Sequence, residues 1–179
     1  ENRVAWHPLV LLGFASGARQ SELLTARVAD FNLHDEVGLW TLSSHMGQDG
    51  VIVEGTKTEE DGHTVFLDPV STRELRTFVE GRFPAEFLAP GRSKLGCHSR
   101  HGFKRLFSKI SEEVGRHLST KTFRQTYITL SRLANVADAL TREQVGHALA
   151  TTSDIYTRPP AEPRRQAARQ MGAVILLEQ

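Results

Sequence analysis

The 179-residue sequence has a single cysteine, Cys97. An internal disulfide is therefore excluded, as is a zinc site built from four cysteines, and a reducing compartment fits such a chain. Long apolar runs are missing too. The longest near the C-terminus, AVILL at 173–177, is far short of the ~20 residues that a spanning helix needs. The N-terminus carries no signal-peptide pattern. The chain is expected to be soluble and cytoplasmic, with no membrane partner. Internal repeats are absent, and net charge is almost absent at a formal +1.

What is present suits one compact domain. Hydrophobic residues make up 39% and charged residues 24%, enough to bury a core and too apolar for compositional disorder. The length fits a core of ~100–150 residues with appendages. The near-zero charge hides an uneven distribution. Residues 91–132 hold ten Lys or Arg against only Glu112 and Glu113. A concentrated basic region is the expected footprint of a phosphate-backbone binder, although a solvated helix face has the same composition. Arg100, Lys104 and Arg105 are its candidate backbone contacts.

Trp6, Leu9, Val10 and Gly13 recur at helical spacing, and Pro8 suits a first turn, so 6–16 is expected to be helical. Gly17 permits a bend, and 21–27 restarts a short helix that Ser21 is placed to cap. Strand-like runs follow at 39–43, 51–56 and 63–67, separated by glycine-bearing turns, and read as a small antiparallel sheet. Lys57 to Gly62 forms its second hairpin. Helical patterns then occupy 71–81, 99–116, about 121–134 and 138–146, and another carries Ser153 to Tyr156. TRPPAEPRR reads as a proline-broken linker before a terminal helix.

Three polar constellations sit on these elements. GARQSELL places Arg19 and Glu22 three apart just past a glycine, either stapling two helix ends or aiming an arginine at an anion. KTFRQTY puts Lys121 and Arg124 on one helix face. REQVGHALATTSDIYTR supplies Gly146-His147 and, nine residues later, Tyr156. Each has an ordinary reading in isolation: an i, i+3 ion pair, a solvated turn lysine at 57, a helix end beside a histidine, a half-buried tyrosine. Tyr127 falls on an apolar stripe with Phe123 and Leu130 and reads as core.

Taken in order, these segments resemble the tyrosine recombinase, or phage integrase, family over about residues 4–160. GARQSELL looks like its first arginine box, and KTFR stands where the family has a His-x-x-Arg box. VGHALATTSDIYTR resembles the segment leading to the tyrosine nucleophile, and GTKTEEDGHTVFL is similar to the hairpin lysine and its returning strand. The resemblance implies the catalytic domain of a site-specific DNA recombinase. Its fold would be mainly α with a small three-stranded antiparallel sheet. Strands would be cleaved and rejoined through a 3′-phosphotyrosyl bond, with no metal, ATP or other cofactor.

By that resemblance, Arg19 and Arg124 clamp the scissile phosphate. Planar, permanently charged guanidiniums suit the negative charge of a phosphoryl transition state. Tyr156 is the nucleophile, a weak one until phosphate-bound cations favour its phenolate. Lys57 is the general acid for the leaving 5′ oxygen, with Lys94 or another lysine as the alternative. His147 donates to a phosphate oxygen or assists proton movement, and Glu22 orients an arginine.

Two positions depart from the family pattern. Lys121 replaces the usual histidine, and Gln125 follows Arg124 where a histidine is common. Lysine donates to phosphate as a point charge but is no neutral imidazole base near pH 7. The alternative function is thus a cleavage-deficient DNA-binding relative with an accessory or regulatory role.

The implied organisation is a catalytic domain over 1–160 and a linker and helix over 161–179 that docks in cis or in trans. The family's smaller N-terminal core-binding domain is not in this chain, which reads as part of a longer bacterial or phage-encoded protein. Its expected partners are double-stranded DNA, bound weakly and with salt sensitivity, and further copies of itself in a tetrameric synaptic complex.

Overall fold

A computed structural model of the chain describes residues 6–55, 63–146 and 159–177. Helix α1, His7–Ser16, has Pro8 in its first turn, where proline's missing N–H has no intrahelical partner to lose. It ends at Gly17, left-handed at φ 62°, whose N–H donates to the Gly13 carbonyl at 2.9 Å. Leu9 and Leu12 are fully buried. A Cβ on Gly13 would lie 2.7 Å from the Phe123 ring, so the bare backbone lets a later helix pack directly against α1.

Helix α2 spans Gln20–Leu23. It begins one residue before the expected start and is not capped by Ser21. Arg19 occupies the cap position, and its backbone N–H donates to Glu22 Oε2 at 2.6 Å. A carboxylate accepting from an otherwise orphaned N–H wins over a serine hydroxyl.

The sheet has three antiparallel strands, in the order β1 (Phe31–Asn32), β2 (Gly38–Leu42) and β5 (His63–Leu67). Residues 52–54 are not among them. As β4 (Ile52–Glu54) they pair with β3 (Ser44–Met46) in a separate two-stranded ribbon, and the short β1 takes the third place. Ser43 marks the change of partner. Its hydroxyl donates to Asp30 at 2.7 Å and its carbonyl accepts from Gly55 N–H at 2.6 Å. Trp40 on β2 is buried and stacks on Phe31.

Helix α3, Pro69–Val79, is capped by Asp68, whose carboxylate accepts from Val70 and Ser71 N–H. Helix α4, Arg100–Val114, is capped by Ser99 and stopped by left-handed Gly115. Its Phe103 and Phe107 meet Phe123 of α5, Lys121–Leu133. Helix α6, Asp138–Gln144, leads to Gly146, and α7 spans Ala161–Leu177. The expected linker is thus shorter than TRPPAEPRR, because Pro163 lies in the first turn of α7, where no intrahelical acceptor awaits its missing N–H.

Helices α6 and α7 cover the open edge of β5. The Gln144 amide accepts from Phe66 N–H at 3.2 Å and donates to the Phe66 carbonyl at 2.6 Å, acting as a one-residue strand. Arg164 on α7 donates to the Thr64 carbonyl, pairs with Glu143 at 3.0 Å and lies over the Phe66 ring. An unpaired edge is a liability, and here side chains close it. Ala168 and Met171 bury the inner face of α7. No helix among the described residues is long and apolar enough to cross a membrane.

Candidate active site

The left-handed turn at Gly17 is the hinge of the site. Arg124, one turn into α5, donates from Nε to the Gly17 carbonyl at 3.0 Å. Two residues beyond that carbonyl, Arg19 leaves the same turn. Its Nη1 donates to Glu22 Oε1 at 2.9 Å and its Nη2 to the Gly146 carbonyl at 3.3 Å. Three segments far apart in sequence therefore meet around one glycine. A Cβ on Gly17 would press Val145 and Tyr127 at 3.0 and 3.1 Å, at a φ that side chains rarely adopt.

The two arginines sit in different surroundings. The Arg19 side chain is 51% exposed, whereas Glu22 behind it is only 11% exposed, so the carboxylate holds the cation from the protein side. Arg124 is more deeply placed. Burial lowers its pKa from the ordinary arginine value, the Arg19 charge lowers it further, and Glu22 opposes both. Its Nη2 is buried and has no hydrogen-bond partner among the described residues. A buried donor left unpaired is costly, and an anionic oxygen between the two guanidiniums would satisfy it.

Beside Arg19 opens a cleft of about 310 Å³ whose lining includes Arg19, Glu22, His45, His63, Gln144 and Gly146 but, among the described residues, not Arg124. His63 Nε2–H donates to the Gln144 carbonyl at 3.2 Å, and His45 Nδ1–H donates to the Gly55 carbonyl at 3.0 Å. A carbonyl only accepts, which assigns the proton on each ring. Neither histidine nor Gln144 stands out in the sequence. His63 reads as a strand residue and His45 falls in a turn between two expected strands, and no spacing relates either one to Arg19. Among the described residues no group of three His, Cys, Asp or Glu side chains could hold a metal.

Of the other expected site residues, Lys57, His147 and Tyr156 lie outside the described residues, as do the 57–62 hairpin and the expected helix around Ser153. Lys121 opens α5, exposed and outside the cleft lining, and its backbone N–H donates to Ser119 Oγ. Lys94 is exposed and also outside that lining. Lys104 and Arg105 are exposed on α4. Arg100 departs from the expected free basic face. Its guanidinium turns inward and donates to the Met46 carbonyl, while its own carbonyl accepts from Gln20. Tyr127 is buried with Val136, Val145 and Met171, and burial pushes its phenol well above the ordinary value.

No family model matches the sequence, and no curated protein matches it. Solved structures do match. The integrase from mycobacterium phage Brujita superposes with a TM-score of 0.65 at 16% identity, over 93% of this chain and 51% of that one. An integrase of the Tn1549 transposon in complex with transposon right end DNA gives 0.63 at 14% identity, over 91% and 57%. The XerH site-specific recombinase bound to its difH substrate gives 0.58 at 19% identity, over 93% and 46%. The chain thus spans about half the length of the proteins it matches. At these identities the likeness concerns architecture, and the architecture is the tyrosine recombinase catalytic-domain fold.

Proposed function

We propose that this chain is the catalytic domain of a site-specific DNA recombinase. The observation that carries the proposal is the meeting of Arg19 and Arg124 at Gly17, with a buried Arg124 Nη2 that has no partner among the described residues and with Gly146 held against Arg19. Two guanidiniums forced into proximity repel each other, Glu22 offsets this only in part, and a phosphodiester is an anion with two non-bridging oxygens to meet both. Removing one such donor from a charged transition state typically slows reaction by about 10²–10³-fold.

In this reading Tyr156 attacks the phosphorus. Its oxygen–phosphorus bond forms as the bond to the 5′ oxygen breaks. The tyrosine proton passes to solvent or to a phosphate oxygen, and Lys57 protonates the departing 5′ oxygen. Rejoining reverses each transfer when a 5′ hydroxyl attacks the phosphotyrosine, so no ATP is consumed. His147 follows Gly146 directly in sequence and would donate to the same phosphate. Double-stranded DNA is the substrate, and four copies of the full-length protein would act in a synaptic complex.

The test is a nicked duplex carrying the element's attachment site, incubated in EDTA with the full-length protein and with its Tyr156→Phe variant, then run on a denaturing gel. A protein–DNA adduct that depends on Tyr156 is expected. No adduct despite confirmed binding to that duplex overturns the enzyme reading. It would favour the second one, a DNA-binding relative without cleavage, for which Lys121 in place of the family's usual histidine is the supporting observation.

A further inference from the structure

The cleft beside Arg19 contains a histidine that the recombinase reading does not use. Its ionisable lining residues are Arg19, Glu22, His45 and His63. Two of these are committed, and a third, Arg19, is the cation of the phosphate site. Arg19 is bound to Glu22 and to the Gly146 carbonyl, and Glu22 takes both the side chain and the backbone N–H of Arg19. His63 is buried, and its Nε2–H is spent on the Gln144 carbonyl. His45 differs. It is half-buried on β3, its Nδ1–H is anchored to the Gly55 carbonyl, and its Nε2 has no hydrogen bond among the described residues.

We infer that His45 is a further phosphate-contacting residue of this site, its Nε2 donating to an oxygen of the phosphoryl group held by Arg19. This rests on the reading of the cleft as the phosphate site. An imidazole anchored through Nδ1 has a set ring orientation, which leaves Nε2 as the atom presented to a ligand. When Nε2 takes up a proton, the ring becomes a cation with donors on both nitrogens. One donor stays on Gly55 and the other meets the anion. The ribbon of β3 and β4 thereby supplies a cation to the site.

The anchoring also sets the test, because glutamine and asparagine divide the two ring nitrogens between them. His45→Gln keeps a donor near the Nε2 position, and His45→Asn keeps one near Nδ1. Inorganic phosphate is titrated into the 179-residue chain and its variants, with affinity read by calorimetry and the His45 nitrogens read by long-range proton–nitrogen NMR. Thermal unfolding of each variant confirms that it is folded. Wild type is expected to show a protonated Nδ1 without phosphate and a second protonated nitrogen on His45 with it. His45→Asn is expected to lose about tenfold in affinity, in line with a hydrogen bond to a charged group, while His45→Gln stays within about threefold of wild type. Arg19→Ala is the control for the cleft. If Arg19→Ala abolishes binding while His45→Asn leaves it unchanged and the His45 nitrogens do not move, the inference is overturned and the cleft reading stands. If Arg19→Ala has no effect either, the phosphate does not bind in the cleft, and both fall.

Discussion

Arg124 and Gly17, 107 residues apart, are joined by a single hydrogen bond of 3.0 Å from Nε to the carbonyl oxygen. That bond decides where the inner guanidinium points, and it leaves Nη2 buried without a partner among the described residues. An arginine placed this way is poorly explained by stability. Its burial and the Arg19 charge both disfavour the cation and lower its pKa, with Glu22 opposing them in part. An anion supplied from outside reverses both penalties.

Replacing Arg124 should therefore separate stability from function. Arg124→Gln loses the Gly17 bond but relieves a desolvated charge facing a like one. Unfolding free energy is expected to change by no more than about 1 kcal/mol, because the lost bond and the relieved repulsion offset each other. Adduct formation should fall by at least about 10²-fold. Urea unfolding beside the nicked-duplex assay checks both. A loss of stability several times larger would make Arg124 a structural residue first.

Glu22 should behave differently, since its carboxylate serves the fold and the site together. It accepts from Arg19 N–H at 2.6 Å and from Arg19 Nη1 at 2.9 Å. Glu22→Ala removes both acceptors and is expected to lower stability by about 1–2 kcal/mol, as loss of a helix cap does. Phosphate affinity should fall as well, since Arg19 loses its orientation. Glu22→Gln keeps one acceptor and should recover most of the stability but less of the affinity.

The clip between Gln144 and Phe66 gives a third expectation. Gln144→Ala strips both backbone groups of Phe66 of their partner at a buried strand edge. A loss of about 2–4 kcal/mol is expected, from two unsatisfied buried groups at about 1–3 kcal/mol each, partly relieved by water. Denaturant titration measures it. Because α6 leads straight to Gly146, the same variant should also weaken phosphate binding, which an isolated edge defect would not do.

Tyr127 offers a pH test with a definite sign. Burial raises its phenol above the ordinary value of 10.0. The unfolded chain therefore releases that proton near pH ~10 while the folded chain keeps it. Above that pH the folded state binds more protons than the unfolded one, so stability falls as pH rises. Tyr127→Phe should abolish this part of the decline between about pH 9 and about pH 11, judged from urea midpoints. It should also leave the adduct intact, whereas Tyr156→Phe should remove it.

The α4 surface separates two kinds of basic residue. Lys104→Ala and Arg105→Ala remove exposed charges, and each is expected to weaken duplex binding and reduce the slope of log affinity against log salt by about 1. Arg100→Ala should instead cost thermal stability, because its guanidinium is tied to the Met46 carbonyl. Equal salt slopes for all three variants and wild type would remove α4 from the DNA-facing surface.

Local chemistry made much of this protein readable from its residues. Pro8 and Gly17 bound α1, the stripe of Phe103 and Phe107 marks the inner face of α4, and Tyr127 belongs to the core because it shares a face with Phe123. The spacing of Arg19 and Glu22 is a property of three consecutive peptide units, so it needs no tertiary information. What an alternating pattern does not specify is its partner strand. That is why 52–54 pairs with 44–46 and the brief β1 completes the sheet. Tertiary structure alone decided that Arg124 reaches Gly17, that His45 and His63 share a cleft with Arg19, that Arg100 turns inward and that Gln144 closes the edge of β5. Each of these joins residues dozens to more than a hundred positions apart. Periodicity reports which side of an element is buried, but only packing determines what that side meets.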